Sequence, residues 1–230
     1  MRVHVAFTPA EAADAPTALV VDVLRASSTI AQALAAGYER VLCCAEVEEA
    51  RALRARLGQG ILAGERACVR IPGFDLGNSP REFTSANGET VVLTTTNGTR
   101  ALVTAAERCE HVLVASLLNL DTAVAAACGA GSDVAVVCAG VEGEFTLDDA
   151  YVAGRIAERL GGEASDAAAA AVRLSRTFAS PEEGLRASRS ARNLVGAGLE
   201  ADIAWCARES LLDVVPRVTG MRETAVELSL

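Results

Sequence analysis

Short apolar runs alternate with amphipathic stretches along the first two-thirds of the chain. Val3–Phe7, Ala18–Val23, Arg40–Cys44, Thr90–Thr95, His111–Ala115 and Asp133–Cys138 read as strands. Ser28–Ala36, Val47–Leu57, Thr99–Arg108, Asp121–Cys128 and Leu147–Leu160 read as helices. Ala18–Val21 and Val134–Val137 are apolar on both faces, as expected of strands that helices cover from both sides. The pattern predicts an α/β fold, a three-layer α/β/α arrangement with a largely parallel central sheet. Right-handed crossovers would then gather the strand C-termini on one edge, where open sheets bind ligands.

Ala63–Arg81 breaks the alternation. It is rich in Gly, Pro, Asp and Asn but carries Phe, Ile and Leu between its turn residues, so it reads as a long, ordered, packed loop. Beyond Gly161, Ala-rich helices run to about Ala207 with a break at Pro181 and Gly184, and Asp213–Val218 and Glu223–Leu228 read as a closing strand pair. No repeat or linker divides the chain. The expectation is one α/β domain over residues 1–230, with a helical C-terminal portion at about 162–210 packed on it.

Composition narrows the function. Hydrophobic residues make up 51% and aromatic residues only 3%, so the core of this 230-residue chain must be built from Ala, Val, Leu and Ile. No apolar run reaches the roughly 18 residues that span a bilayer, and the N-terminus lacks the basic and apolar regions of a signal peptide, so a cytoplasmic protein without membrane contact is expected. A net charge of −9 argues against nucleic acid as a partner. All 21 basic residues are Arg, a bias that base composition explains. It still removes lysine Schiff-base chemistry and the P-loop lysine, and leaves Arg as the strong side-chain cation for an anion. Seven cysteines, an odd number without a C-x-x-C pair, fit neither a disulfide framework nor structural zinc, and read as small buried hydrophobes.

Four clusters carry candidate chemistry. Asp22-Val-Leu-Arg25-Ala-Ser-Ser-Thr places a carboxylate and a guanidinium where a buried strand meets a helix, either an anion and cation site or an ordinary capped turn with an Asp–Arg pair. Glu65-Arg66 and Gly73-Phe-Asp75-Leu-Gly-Asn78-Ser-Pro gather acids, an Arg and an amide among glycines, and Ser79-Pro80 also reads as a helix start. Thr95-Thr96-Asn97-Gly98-Thr99-Arg100 ends a strand in hydroxyls and turns into a helix, a cradle for a tetrahedral oxyanion or simply a hydroxyl-rich turn; Ser116-Leu-Leu-Asn119 parallels it. Asp148 and Asp149 follow Thr146, which reads with Asp149 as a capping box. Gly58-Gln-Gly-Ile-Leu-Ala-Gly64 is not a dinucleotide fingerprint, since it leaves a helix for a strand.

Taken in order, Asp22–Thr29, Ala63–Arg66, Gly73–Pro80, Thr95–Arg100, Ser116…Asn119 and Phe145–Asp149 resemble the signature segments of the ComB family of 2-phosphosulfolactate phosphatases. The resemblance extends weakly into Asp202…Cys206 and covers nearly the whole chain; Ser27-Ser28, where Thr is usual, and Ala67-Cys68 are its small departures. It implies an α/β/α fold and Mg²⁺-dependent hydrolysis of 2-phospho-3-sulfolactate to sulfolactate and phosphate, a step toward coenzyme M. The expected metal ligands are Asp22 with Glu65, Asp75, Asp148 or Asp149, and the expected catalytic groups are Asp22, Glu65 and Asp75. Arg25, Arg66 and Arg100 are the expected anion clamps, with Asn78, Thr96, Asn97, Gly98, Thr99, Ser116 and Asn119 around the substrate. The partner is then a small phosphorylated and sulfonated acid. A non-catalytic anion binder, a lyase on a similar acid, a water or aspartate nucleophile, and a homodimer stay open.

Overall fold

The computed structural model describes residues 1–11, 15–86 and 89–230. Strands β1 (Arg2–Ala6), β2 (Thr17–Val21), β3 (Arg40–Cys43), β4 (Ile61–Arg66), β5 (Val69–Arg70), β6 (Thr90–Thr94), β7 (His111–Val114), β8 (Val134–Cys138), β9 (Glu163–Ala164), β10 (Arg217–Arg222) and β11 (Ala225–Ser229) form one sheet. Helices α1 (Ala26–Ala35), α2 (Val47–Leu57), α3 (Gly98–Arg108), α4 (Leu120–Gly129) and α5 (Leu147–Leu160) connect or flank them. Four more follow, α6 (Asp166–Ser175), α7 (Pro181–Arg186), α8 (Arg189–Gly196) and α9 (Glu200–Cys206). The sheet is mostly parallel and helices cover both faces, the α/β/α arrangement expected from the two-sided apolar strands. No helix among the described residues is long and apolar enough to cross a membrane.

The strand order is β5-β4-β6-β3-β11-β10-β7-β2-β8-β1-β9. The C-terminal strand pair therefore does more than close the chain. It sits in the middle of the sheet, β11 antiparallel to β3 and β10 antiparallel to β7, and joins two parallel blocks. Followed across the hairpin, the blocks run in opposite senses, which corrects the expectation that all strand C-termini lie on one edge. Sheet twist reconciles this with a shared site. Five steps separate β2 from β6, and at roughly 20–25° each they turn one block by roughly 100–125° relative to the other. The loops after β2, β6 and β8 line one cavity.

Two local expectations also change. The stretch read as a loop from residue 63 begins inside β4, which pairs in parallel with β6, and also contains β5; the rest is loop, anchored by buried Ile71 and Phe74. The last strand pair starts at Arg217 rather than at residue 213. Composition reads Gly64 as loop, yet Gly64 is what permits the strand to continue. Its φ is +154°, and a Cβ there would lie 2.2 Å from the Thr94 carbonyl oxygen. Gly64→Ala is expected to cost about 1–3 kcal/mol, read as a lower melting temperature, and to displace the adjoining Glu65.

The core divides by sheet face. Val3, Val5, Leu19, Val21 and Val136 meet Tyr151, Ile156, Leu185 and Ile203 from the later helices, so residues of α5 to α9 share a core with the strands. Ala18, Val20, Val91 and Leu93 meet Ile30 and Leu102 of α1 and α3. Among the seven cysteines, all free, Cys43, Cys44, Cys138 and Cys206 are buried as expected, whereas Cys68 and Cys109 are half-buried and Cys128 is exposed.

Candidate active site

A cavity of about 360 Å³ opens where these loops meet. Its walls carry Asp22, Leu24 and Arg25 ahead of and at the start of α1, Glu65, Ala67 and Cys68 after β4, and Asn78. Thr95, Thr96 and Asn97 line it ahead of α3, Gly140 to Glu142 after β8, Asp148 and Asp149 in the first turn of α5, and Arg189, Ser190 and Asn193 on α8. Four helices thus contribute the residues at their N-terminal ends, where unpaired N–H groups and the macrodipole favour anions.

The strand-to-helix turn at β2 fixes Asp22. Its Oδ1 accepts the Ala26 N–H at 3.2 Å, its own N–H donates to Ser27 Oγ at 3.2 Å, and its carbonyl accepts the Ser27 N–H at 2.9 Å. Ser27, Ser28 and Thr29 are buried and turned inward, with Ser28 Oγ donating to the Val23 carbonyl and Thr29 Oγ1 to that of Asn78. Gly98 matters here because it lets α3 start against Asp22. A Cβ on it would lie 2.6 Å from Asp22 Oδ2 and 2.5 Å from Ala26 Cβ.

Glu65 and Asp149 are held by backbone. Glu65 Oε1 accepts the N–H and hydroxyl of Thr96 at 2.9 and 3.0 Å, and Oε2 accepts the Cys68 N–H at 2.8 Å. Asp149 Oδ1 accepts the Val23 N–H at 2.9 Å and Oδ2 the Gly140 N–H at 3.1 Å. The expected capping box is therefore absent. Thr146 is the N-cap but makes no side-chain cap bond, because Asp149 instead ties the loops after β2 and β8 together. Asp148 Oδ1 accepts from Ser190 Oγ of α8 at 3.2 Å. Asn97 Oδ1 accepts the Glu142 N–H at 3.0 Å and so bridges the loops after β6 and β8.

Several expected residues stand outside the cavity lining. Asp75 Oδ2 accepts the Leu62 N–H at 2.8 Å and staples its loop to β4. Arg66 spans its own loop, reaching Thr94 Oγ1 and the carbonyls of Ala45 and Glu65. Asn119 is buried: its Oδ1 accepts from Ser116, and its Nδ2 donates to the carbonyls of Val114 and Val214, closing the turn after β7 onto the C-terminal segment. Thr99 bonds back to Thr95. Arg100 pairs with Glu46 in the open, with both side chains more than half exposed. Arg100→Ala is accordingly expected to change stability by less than about 1 kcal/mol and to leave turnover within about twofold.

Arg25 lines the cavity with its charge already matched. Nη1 lies 2.8 Å from Asp202 Oδ2 with both side chains buried, and Nη2 donates to the Cys68 carbonyl at 3.1 Å. The Leu24–Arg25 peptide is cis. Residues on α8 were not anticipated from the sequence. Their only local signal is an Arg directly after the N-cap Ser188, at the end of a helix where a cation is disfavoured.

The electrostatics are dominated by crowded acids. Burial pushes Asp22 up to about 7, reinforced by the charges of Asp148 and Glu65 and opposed by the Ala26 N–H and by Arg25. Burial likewise pushes Asp148 up to about 6 against the Ser190 hydrogen bond. Asp149 is held well above the ordinary range by burial and by the charges of Asp148 and Asp22. Burial also raises the Cys68 thiol, which therefore offers no ready thiolate. A raised folded-state pKa means the native chain binds more protons than the unfolded one between the two values, so stability falls as pH rises. Chain without added divalent cation is expected to lose melting temperature from about pH 4 to about pH 7, a slope that Asp22→Asn reduces.

Comparison with known proteins places the chain. The family model described as 2-phosphosulpholactate phosphatase matches residues 4–221. The chain is 42% identical over 228 residues to the probable 2-phosphosulfolactate phosphatase of Thermus thermophilus, covering 96% of this chain and 95% of that one. It is 36% identical over 222 residues to the protein of that name from Carboxydothermus hydrogenoformans, with 94% and 92% covered. With the protein of that name from Deinococcus radiodurans the identity is 40% over 206 residues, with 86% of each chain covered. The chain belongs to the 2-phosphosulfolactate phosphatase family, whose members are phosphoric monoester hydrolases.

Proposed function

We propose that this chain hydrolyses the phosphate ester of 2-phospho-3-sulfolactate, or of a similar small phosphorylated hydroxy acid, with Mg²⁺ as cofactor, as in coenzyme M biosynthesis. The observation that supports it most is the convergence of four helix N-terminal ends and five acids, Asp22, Glu65, Glu142, Asp148 and Asp149, on one cavity. Helix N-termini suit a phosphate, but acids repel it unless a cation stands between them.

The donor set fits a hydrated Mg²⁺. Among the described residues no three Asp, Glu, His or Cys side chains are gathered as a ready metal cluster. Mg²⁺ does not require one, since it is commonly held by one or two carboxylates and keeps several waters. Asn78 Oδ1 is a buried hard oxygen in the cavity wall without a hydrogen-bond partner among the described residues, the kind of acceptor a metal-bound water would satisfy. Asp22 and Asp148 would hold the ion. When bound it supplies charge neutralisation on the phosphoryl oxygens and a more acidic water.

The chain's own residues do the rest. Glu65 fixes the Thr96 turn so that its loop can face the phosphoryl group, and Asp149 locks the loop after β2 to that after β8. Asn97 ties the same rim together. The test is phosphate release from a panel of phospho-hydroxy acids with Mg²⁺ and with EDTA. Release that stops on chelation and returns with Mg²⁺ is expected. Turnover indifferent to chelation sinks the metal assignment, and no release from any ester sinks the reaction.

A further inference from the structure

We propose that Arg189 is the specificity-determining residue that reads the second acid group of the substrate, the carboxylate or sulfonate that the ester carries besides its phosphate. This rests on the phosphatase reading of the site. Two arginines line the cavity, and they differ in what they can offer. Arg25 is buried against Asp202 at 2.8 Å, so its charge is spent inside the fold. Arg189 reaches the cavity from the first residue of α8, and its side chain is 40% exposed.

The partners of Arg189 are exchangeable. Nη1 meets Glu144 Oε2 at 3.3 Å, Nη2 meets the Val141 carbonyl at 3.2 Å and Glu142 Oε2 at 3.7 Å. Both glutamates are about three-quarters exposed, and ion pairs of this kind contribute little and are readily replaced. The turn that presents them is well defined. Val141 and Glu144 exchange backbone hydrogen bonds at 2.9 and 3.0 Å, with Glu142 and Gly143 both at positive φ. An incoming acid group competes with surface glutamates for a guanidinium that keeps its fork geometry.

Placement supports selectivity rather than catalysis. Ser190, the next residue, donates to Asp148, and Asn193 lines the cavity one turn further along, so α8 forms the wall beside the acids. A cation at a helix N-terminus opposes the macrodipole, a local cost that a ligand-binding role accounts for. The substrate class that follows is a phosphomonoester bearing a second anion a few bonds away, not a simple alkyl phosphate.

The experiment compares phosphosulfolactate and phospholactate with propan-2-yl phosphate, which carries the phosphate alone, in the parent, Arg189→Gln, Arg189→Lys and Glu144→Gln. Arg189→Gln is expected to raise KM about 10- to 100-fold for phosphosulfolactate, the worth of a charge-assisted contact, and for phospholactate as well where the group read is the carboxylate, with kcat and the alkyl phosphate changed less than twofold. Arg189→Lys should recover part of the loss. Glu144→Gln should leave KM for the acids unchanged or lower, because it removes a competitor. Equal losses on all three esters, or no loss on any, overturn the proposal, as does a Glu144→Gln variant that reproduces Arg189→Gln. Should the parent release phosphate from none of them, the phosphatase reading fails and binding decides Arg189 separately. Calorimetry with 3-sulfolactate and with inorganic phosphate should then show Arg189→Gln losing the first and keeping the second; equal or absent losses refute it.

Discussion

Asp22→Asn is expected to lower phosphate release on the order of 10³-fold or more, while giving a chain that melts higher than its parent at pH 8 without divalent cation. The two effects come from one cause. Burial and the neighbouring charges of Asp148 and Glu65 make the ionised Asp22 carboxylate costly, raising it to about 7. At pH 8 the native chain carries that cost in full. Near pH 4 the proton is on in the native state, and the cost vanishes. The amide is neutral throughout, keeps an oxygen for the Ala26 N–H, and so removes the penalty together with the ligand. Added Mg²⁺ should raise the melting temperature of the parent and leave Asp22→Asn nearly unmoved. A purely structural Asp22 would give the reverse pattern: lower stability at pH 8, activity within a few-fold of the parent, and an unchanged response to Mg²⁺. Melting curves at the two pH values with and without Mg²⁺, beside turnover, separate the cases.

What the sequence disclosed was local chemistry, and what it withheld was long-range geometry. Asp22 could be singled out because an acid at a strand end before hydroxyl residues is a local pattern, Glu65 because it stands beside an Arg in a glycine-rich stretch, and Asp148 because it opens a helix after Thr146. The direction in which a side chain leaves such a turn is not. Asp75 and Arg100 sit in segments as suggestive as Asp22, yet one bonds the Leu62 N–H and the other pairs with Glu46 at the surface. The extent of β4 was obscured by Gly64, which composition reads as loop but whose missing Cβ lets the strand lie close against β6. The mid-sheet place of β10 and β11 depends on pairing with β7 and β3, more than 100 residues earlier, and no periodicity encodes it. Arg189 belongs to the same class. It reaches the cavity only because α5 and the later helices share a core with β1, β2 and β8.

Asp202→Ala is expected to destabilise the chain by about 3–5 kcal/mol, the cost of leaving a buried charge without its partner. For a chain of this size that lowers the melting temperature by roughly 6–20 °C and takes a large share of a total stability of about 5–15 kcal/mol. Asp202 is fully buried on α9; its Oδ2 meets Arg25 at 2.8 Å and its Oδ1 accepts from Ser79 Oγ at 2.7 Å. The truncation strands both donors at once. Arg25 also donates to the Cys68 carbonyl, so the start of α1, the loop after β4, the Ser79 turn and α9 all hang on this pair. The cavity wall from Arg25 to Cys68 should loosen with it. Asp202→Asn keeps an acceptor for Ser79 but not the charge, and should fall between parent and Asp202→Ala. Arg25→Met combined with Asp202→Leu removes both charges and should recover most of the stability, since an apolar pair of similar volume replaces a buried ion pair at little net cost. That recovery is the decisive measurement. A double variant as unstable as the sum of its single changes would show that Arg25 and Asp202 act separately, and a melting temperature within about 2 °C of the parent for Asp202→Ala would show that the pair holds nothing together.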